Sequence, residues 1–329
     1  MASPPQARHN GAVAMKFPAL GFDRLYGVAL GAAAAATLAG LAGRWHWLLE
    51  LASNFRVQLA LTGLALLIMA AIRRRALAGA VALALCIANF LPLAPYIVPV
   101  APPPAEGARL RLMNVNLQNW STRSPPVTAM VLAGRADLIV FTEIAAVHRE
   151  AFADLAVSHP FQAPQQLRDG SAFDVRLFSR WPLENAQVHL PEGPDFPIIE
   201  ARLCEPVWPH CLRLIALHAP RPSGDGKRDR QLAFAAKLAA APGEERVLLM
   251  GDLNVTGFSP RFADLLEQSG LRDSLWGQGL QTSWLSRFLP LGLTLDHVLV
   301  GPGIGVIARG RGQEFGSDHS PVIVDIVVP

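Results

Sequence analysis

Hydrophobic positions fall along the 329-residue chain in two different ways. Before residue 101 they form three long, nearly unbroken runs, residues 25–42, 57–72 and 76–98. Arg44, Glu50 and Arg56 interrupt the first two, and Arg73, Arg74 and Arg75 part the second from the third. A membrane-crossing helix needs about 20 apolar residues, with a lower limit near 17. The runs therefore predict an N-terminal bundle of three transmembrane helices, the second the shortest. A secretory leader has one apolar stretch of about 7–15 residues and no successors.

Beyond residue 108 the apolar runs shrink to strand length and alternate with turns. Residues 110–117, 138–142, 175–179, 198–203, 212–218, 247–250, 297–300 and 322–327 read as strands. Helical periodicity is clearest at 127–133, 230–240 and 260–268, the last opened by Ser259 as cap and Pro260 in the first turn. Many strands with few helices predict two packed sheets flanked by helices, an α/β (α+β) arrangement. Neither a Gly-x-Gly-x-x-Gly string nor a phosphate-binding loop is present.

Between the two regions, Pro92, Pro95, Pro99, Pro102, Pro103 and Pro104 are expected to break the third helix and form a stiff linker. The organisation is then a tail (1–24), three membrane helices (25–100), a Pro-rich linker (101–108) and a body of strands and helices (109–329). Arg8, Lys16 and Arg24 precede the first helix, and the arginine triplet follows the second. The excess of positive charge on the cytoplasmic side places both segments there. The body then emerges on the outer face of a cell (inner) membrane, in the periplasm or exterior.

Charge adds one correction to the whole-chain value of +3. Residues 1–105 carry 8 Lys or Arg against 2 Asp or Glu, giving +6, and the rest carry 21 against 24, giving −3. The basic balance belongs to the membrane flanks and is no nucleic-acid footprint. Cys204 and Cys211 suit a hairpin staple in an oxidising compartment, or two free thiols on neighbouring strands; Cys86 lies in the third apolar run.

The chemistry-bearing residues stand where strands end. Asn116 closes the first, Glu143 follows the second, and His218 ends another; Asp252 and Asn254 sit in Gly251-Asp252-Leu253-Asn254. Asp296 opens a strand, and Asp318 and His319 sit in Gly316-Ser317-Asp318-His319. Gathered carboxylates suit a hard divalent cation, and a histidine among them carries a proton in hydrolysis. Arg221, Lys227, Arg228 and Arg230 read either as a guide for an anionic substrate or as a solvated charge cluster. Trp181, Trp208, Trp276 and Trp284 read as stacking or headgroup-contact surfaces, or as core.

The order of strand-Asn, strand-Glu, His-x-Pro, Gly-Asp-x-Asn, Asp-His and Ser-Asp-His resembles the endonuclease/exonuclease/phosphatase superfamily, over residues 109–328. Leu177-Phe-Ser-Arg-Trp-Pro-Leu183 and Leu217-His-Ala-Pro220 are similar to further family segments. The resemblance implies a four-layer α/β/β/α sandwich of two mixed sheets with the site at one edge. It implies Asn116, Glu143 and Asp318 as metal ligands and His319 as general base, oriented by Asp296. Asp252 would position water or the leaving oxygen, Asn254 would donate to a phosphoryl oxygen, and His218 to another oxygen or to the leaving group.

Magnesium is the expected cofactor, with manganese possible; an oxygen ligand set disfavours zinc. His218 and the Leu117-Gln118 pair after Asn116 depart from the DNA-repair branch. His297 resembles the Asp-His-Val form of membrane-associated bacterial members and receives no chemical role. The expected function is a membrane-anchored, metal-dependent phosphoesterase acting outside the cytoplasm on nucleic acid or a phosphorylated envelope or lipid component, with the bilayer as its other partner. No protein partner is inferable. The alternatives are an extracytoplasmic nuclease specifically, or a catalytically inactive binding module on the same fold.

Overall fold

A computed structural model describes residues 21–329 apart from 105, 120–126, 166–173, 206–207, 209, 244 and 289–290. Arg8, Lys16 and most of the expected cytoplasmic tail lie outside the described residues. The N-terminal unit comprises α1 (Phe22–Leu41), α2 (Trp47–Leu51), a 3-10 turn (Ala52–Phe55), α3 (Arg56–Ile72), α4 (Ala76–Phe90), a second 3-10 turn (Leu91–Leu93) and α5 (Ala94–Ile97). The helical runs Phe22–Leu41, Trp47–Ile72 and Ala76–Ile97 are each long and apolar enough to cross a membrane.

Two details differ from the sequence expectation. The second run starts well before residue 57, because Glu50 and Arg56 do not interrupt it; both are buried. Arg56 donates to Asn89 Oδ1 (3.1 Å), and Asn89 donates to Thr37 Oγ1 (2.9 Å), a polar link between three helices that satisfies groups an apolar surround would penalise. The prolines at 92 and 95 stand in the first turns of the second 3-10 turn and of α5, where the missing N–H costs nothing, so the helical path persists to Ile97.

The body holds β1 (Ala108–Asn116), α6 (Val127–Gly134), β2 (Leu138–Thr142), α7 (Arg149–Leu155), β3 (Phe161–Ala163), β4 (Val175–Ser179), β5 (Leu183–His189) and β6 (Ile198–Leu203). It continues through β7 (Leu212–His218), α8 (Lys227–Ala240), β8 (Arg246–Asp252), α9 (Pro260–Ser269), β9 (Arg272–Asp273), β10 (Asp296–Val300), β11 (Gly305–Arg311) and β12 (Val322–Val328). One six-stranded sheet runs β11-β12-β1-β2-β4-β3, the other β5-β6-β7-β8-β10-β9. In each, one parallel pair, β1 with β2 and β7 with β8, sits among antiparallel neighbours.

Burial explains the layering. β2, β4, β7 and β10 are buried along their whole length, as strands covered on both faces must be. Leu112, Val140, Leu214, Leu248, Met250 and Val298 meet between the sheets. Outside, Phe141, Phe152 and Phe178 pack with α6 and α7, while Leu249, Leu299 and Phe262 pack with α8 and α9. The result is the expected four-layer α/β/β/α sandwich. Cys204 and Cys211 are disulfide-bonded just beyond the paired ends Leu203 and Leu212 of β6 and β7.

Both parallel pairs deliver their C-terminal ends to one edge. Register sets Asn116 opposite Thr142, next to Glu143, and His218 opposite Asp252, while antiparallel β10 begins with Asp296 opposite Asp252. Glycine is required at 251, where φ is 152° and an added Cβ would stand 1.8 Å from Leu217 O of the neighbouring strand.

Candidate active site

The edge gathers a buried acidic and histidine cluster. Glu143, His218 and Asp252 lie close enough to share one metal ion, as do Asp252, Asp296 and His319, so Asp252 belongs to both groups. Asn116 bridges the sheets: its Nδ2 donates to Glu143 Oε1 (3.0 Å) and Asp252 Oδ2 (2.9 Å). Its Oδ1 accepts from the Gln118 N–H (2.9 Å), and the Asn119 N–H donates to Glu143 Oε2 (3.1 Å). Gln118, Glu143 and Asn254 all carry positive φ, at 60°, 54° and 47°. Such backbone is costly for non-glycine residues and persists only where surrounding contacts over-determine it, which is common at functional edges.

His319 Nδ1 pairs with Asp296 Oδ2 at 2.7 Å, leaving Nε2 facing Asp252 Oδ2 at 3.8 Å. Asp296 is itself held by Asn114 Nδ2 (3.0 Å) on its other oxygen and by its backbone N–H on Ser283 Oγ (3.0 Å). Ser317 fixes the loop before His319, donating to Asn116 O (2.9 Å) and accepting from the His319 N–H (3.0 Å). His218 Nε2 lies 3.8 Å from Glu143 and 3.7 Å from Asp252, and 3.4 Å from Asn254 Nδ2. That Asn254 nitrogen donates to Ala219 O (2.8 Å), and the Asn254 N–H donates to Asp252 Oδ1 (2.9 Å).

Burial and crowding set the electrostatics. Burial pushes the Asp252 carboxyl up to about 7, with the Asp296 charge pushing the same way against His319, the Asn254 N–H and Asn116. Burial would likewise raise Asp296, but the charge and hydrogen bond of His319 hold it below the ordinary carboxylate range. For His319 burial acts downward, yet Asp296, Asp252 and Asp318 carry the imidazolium up to about 10. Burial, with the charges of His319 and Arg221, lowers His218 to about 3, so that ring is neutral near pH 7.

Asp252 and Asp296 thus face the His319 ring, and Glu143 shares Asp252 with the neutral His218, in a site with almost no solvent access. Such a carboxylate excess fits a divalent cation on charge, and its oxygen-rich donors fit a hard one. Asp318 is placed differently from Asn116 and Glu143. Its Oδ2 accepts from Trp284 Nε1 (3.0 Å), and it joins neither acid–histidine group, whereas Asp252 does.

Other sequence candidates are engaged elsewhere. Arg228 is buried against Glu50 and Asp229, Lys227 pairs with Asp225, and Arg230 pairs with Glu192. Trp181 and Trp208 pack edge to face against the inter-sheet core. Asn114 and Ser283, both holding Asp296, were not among the sequence candidates. Asn114 had a signal, since it lies two residues before Asn116 and therefore on the same face of β1. Ser283 sits in an irregular segment where spacing carries no such information.

The arrangement answers to a known class. Residues 112–319 match the model of the Endonuclease/Exonuclease/phosphatase family, and the chain belongs to it. Members are generally hydrolases of phosphoesters and typically use divalent metal ions. Similar solved structures include D. rerio TDP2 humanized by 14 mutations, 15% identical with a TM-score of 0.55, covering 66% of this chain and 98% of that one. Family proteins from Beutenbergia cavernae (17%, TM-score 0.55, 67% and 72% covered) and Bacteroides thetaiotaomicron (18%, 0.54, 68% and 99%) are also similar. These likenesses carry the fold alone. No curated protein matches the chain by sequence.

Proposed function

We propose that the chain is a membrane-anchored, divalent-metal-dependent phosphoesterase whose catalytic body, residues 109–329, works outside the cytoplasm. The observation that carries the chemistry is the excess of buried carboxylate around the Asp296–His319 pair at the family's strand-end edge. Three helices of membrane-spanning length support the anchor, and the flanking arginines support the orientation. The Cys204–Cys211 bond supports an oxidising compartment.

Glu143 and Asp252 would hold the metal, magnesium by default and manganese as a substitute, with the Asn116 amide N–H groups fixing one oxygen of each carboxylate; Asp318 orders the His319 loop through Trp284. A bound cation would polarise the phosphoryl group and offset negative charge on Glu143 and Asp252. Asp296 fixes the His319 tautomer at Nδ1, so Nε2 is the atom that exchanges a proton with water or the leaving oxygen. His218, neutral and buried, and Asn254 orient phosphoryl oxygens by hydrogen bonding.

The test is hydrolysis by the full-length protein with magnesium, offered bis-nitrophenyl phosphate, nitrophenyl phosphate, DNA and RNA, against His319→Ala. The expected result is turnover of at least one phosphoester, reduced in the variant about 100- to 10,000-fold. Equal rates in the two proteins refute the mechanism, and hydrolysis of DNA or RNA alone selects the nuclease reading.

A further inference from the structure

The N-terminal helices meet the body through one end. Arg44, Glu50, Asn54 and Tyr96, all near the end where the chain leaves toward the body, reach Asp264, Arg228 with Ser259, Thr256 and Phe258. Arg75 pairs with Asp23 at the opposite end. On the body side these contacts fall on the segments that follow β7 and β8, whose last residues are His218 and Asp252. The helices therefore abut the active-site edge and not the far side of the sandwich.

One guanidinium makes the connection direct. Arg228 Nη2 lies 2.5 Å from Glu50 Oε2, and its Nη1 donates to the backbone carbonyl of Asn254 at 3.4 Å. Glu50 Oε1 accepts from Ser259 Oγ at 2.5 Å, closing the contact from the other side. The sequence made Glu50 an interruption between apolar runs, yet it is a docking residue for the loop that carries Asn254.

A cavity lies at this junction. Its volume is about 190 Å³, and it is lined jointly by the helices, through Val57 and Tyr96, and by the body, through Phe258, Leu280 and Leu293. Between β9 and β10 the body then exposes Leu280 (43%), Phe288 (57%) and Leu291 (47%). The same segment carries Trp284, which bridges to His319 and donates to Asp318. Scattered exposed apolar residues are ordinary, but Phe288 and Leu291 are tied by backbone turns to Leu285, whose N–H donates to Asp318 O beside His319, and the following Gly292 and Leu293 line the cavity shared with the helices.

Resting on the phosphoesterase reading above, we propose that the substrate is a phosphoester carried by a membrane lipid, taken up at the bilayer surface with Phe288 and Leu291 inserted into the interface. The helices serve as more than a tether: they hold the strand-end edge against the layer in which phosphate headgroups lie. A lipid phosphate then reaches Glu143, Asp252 and His319 while its chains remain in the bilayer. A soluble phosphodiester reaches the same residues without using the apolar tip.

The experiment uses the full-length protein in vesicles of equimolar phosphatidylethanolamine, phosphatidylglycerol and phosphatidic acid with magnesium, alongside bis-nitrophenyl phosphate in the same preparation. Vesicle lipid is expected to be hydrolysed. Phe288→Ser combined with Leu291→Ser should cut lipid turnover roughly tenfold, the scale of withdrawing a large side chain from an apolar phase, and leave the soluble diester unchanged. A bimane label on Phe288→Cys should be quenched by nitroxide lipids, a readout independent of which lipid is cleaved. Turnover of the soluble diester with no lipid hydrolysis, or a label that nitroxide lipids do not quench, overturns this proposal and leaves the phosphoesterase reading standing. Hydrolysis of neither substrate overturns both.

Discussion

Two buried histidine–aspartate pairs stand on consecutive residues of β10 and have opposite fates. Asp296 points to the active-site edge and holds His319; His297 points to the helix-covered face and pairs with Asp273 at 3.3 Å. The second pair is closed: His297 Nε2 meets Val255 O at 2.9 Å, its ring packs on Phe262, and Arg309 lies 3.2 Å from Asp273. The first is open, because His319 Nε2 faces a carboxylate cluster instead of a carbonyl. The same two residue types become a strut or a proton-transfer device according to what the second ring nitrogen meets, and whether an arginine already balances the charge.

The comparison can be broken most severely by exchanging effects. His319→Ala should abolish most activity, by about 100- to 10,000-fold, and should also cost stability, because it leaves the buried Asp296 without its imidazolium partner. Asp273→Asn should cost stability and spare activity. It leaves Arg309 buried without its partner carboxylate and should cost about 3–5 kcal/mol in denaturant unfolding, while folded molecules retain turnover. Activity lost in the Asp273 variant at full folding would erase the distinction.

Acid sharpens it further. Burial would raise Asp273, but the His297 hydrogen bond and charge, Arg309 and the Leu275 N–H hold it below its ordinary value of 3.8. A depressed carboxyl stabilises above its unfolded pKa, so this contribution is full near neutrality and fades as pH falls below about 4. Unfolding followed from pH 7 to pH 2 should show less acid sensitivity in Asp273→Asn than in the parent. The smallest effect belongs to the remote β6–β7 staple. Opening the Cys204–Cys211 bond, seven residues apart, should cost about 2 kcal/mol and leave both histidine pairs intact, measured by thermal unfolding with and without reductant.

Legibility in the sequence followed the same division. Apolar runs covered on both faces gave β2, β4 and β7 at their observed limits, and the part-buried run Ile198–Leu203 gave β6. β5 escaped because Leu183–His189 is an exposed edge with polar positions, and β11 because Gly305–Arg311 mixes glycine and arginine into a half-exposed strand. β3 and β9 are too short to show a period. The strand-end positions of Asn116, Glu143, His218, Asp252, Asp296 and His319 were readable because strands end where the polar residue appears. That Asp318 turns to Trp284, or that Glu50 meets Arg228 across 178 residues, depends on loop geometry that no local pattern encodes. The placement of Asp273 and Arg309 around His297 was hidden for the same reason.

Calorimetric titration of magnesium or manganese into the full-length protein tests the central claim most directly. The open cluster should give saturable binding in the parent, lost in Glu143→Gln and in Asp252→Asn and retained in Asp273→Asn. Binding that survives both cluster substitutions, or that disappears with Asp273, would contradict a metal site at the open pair.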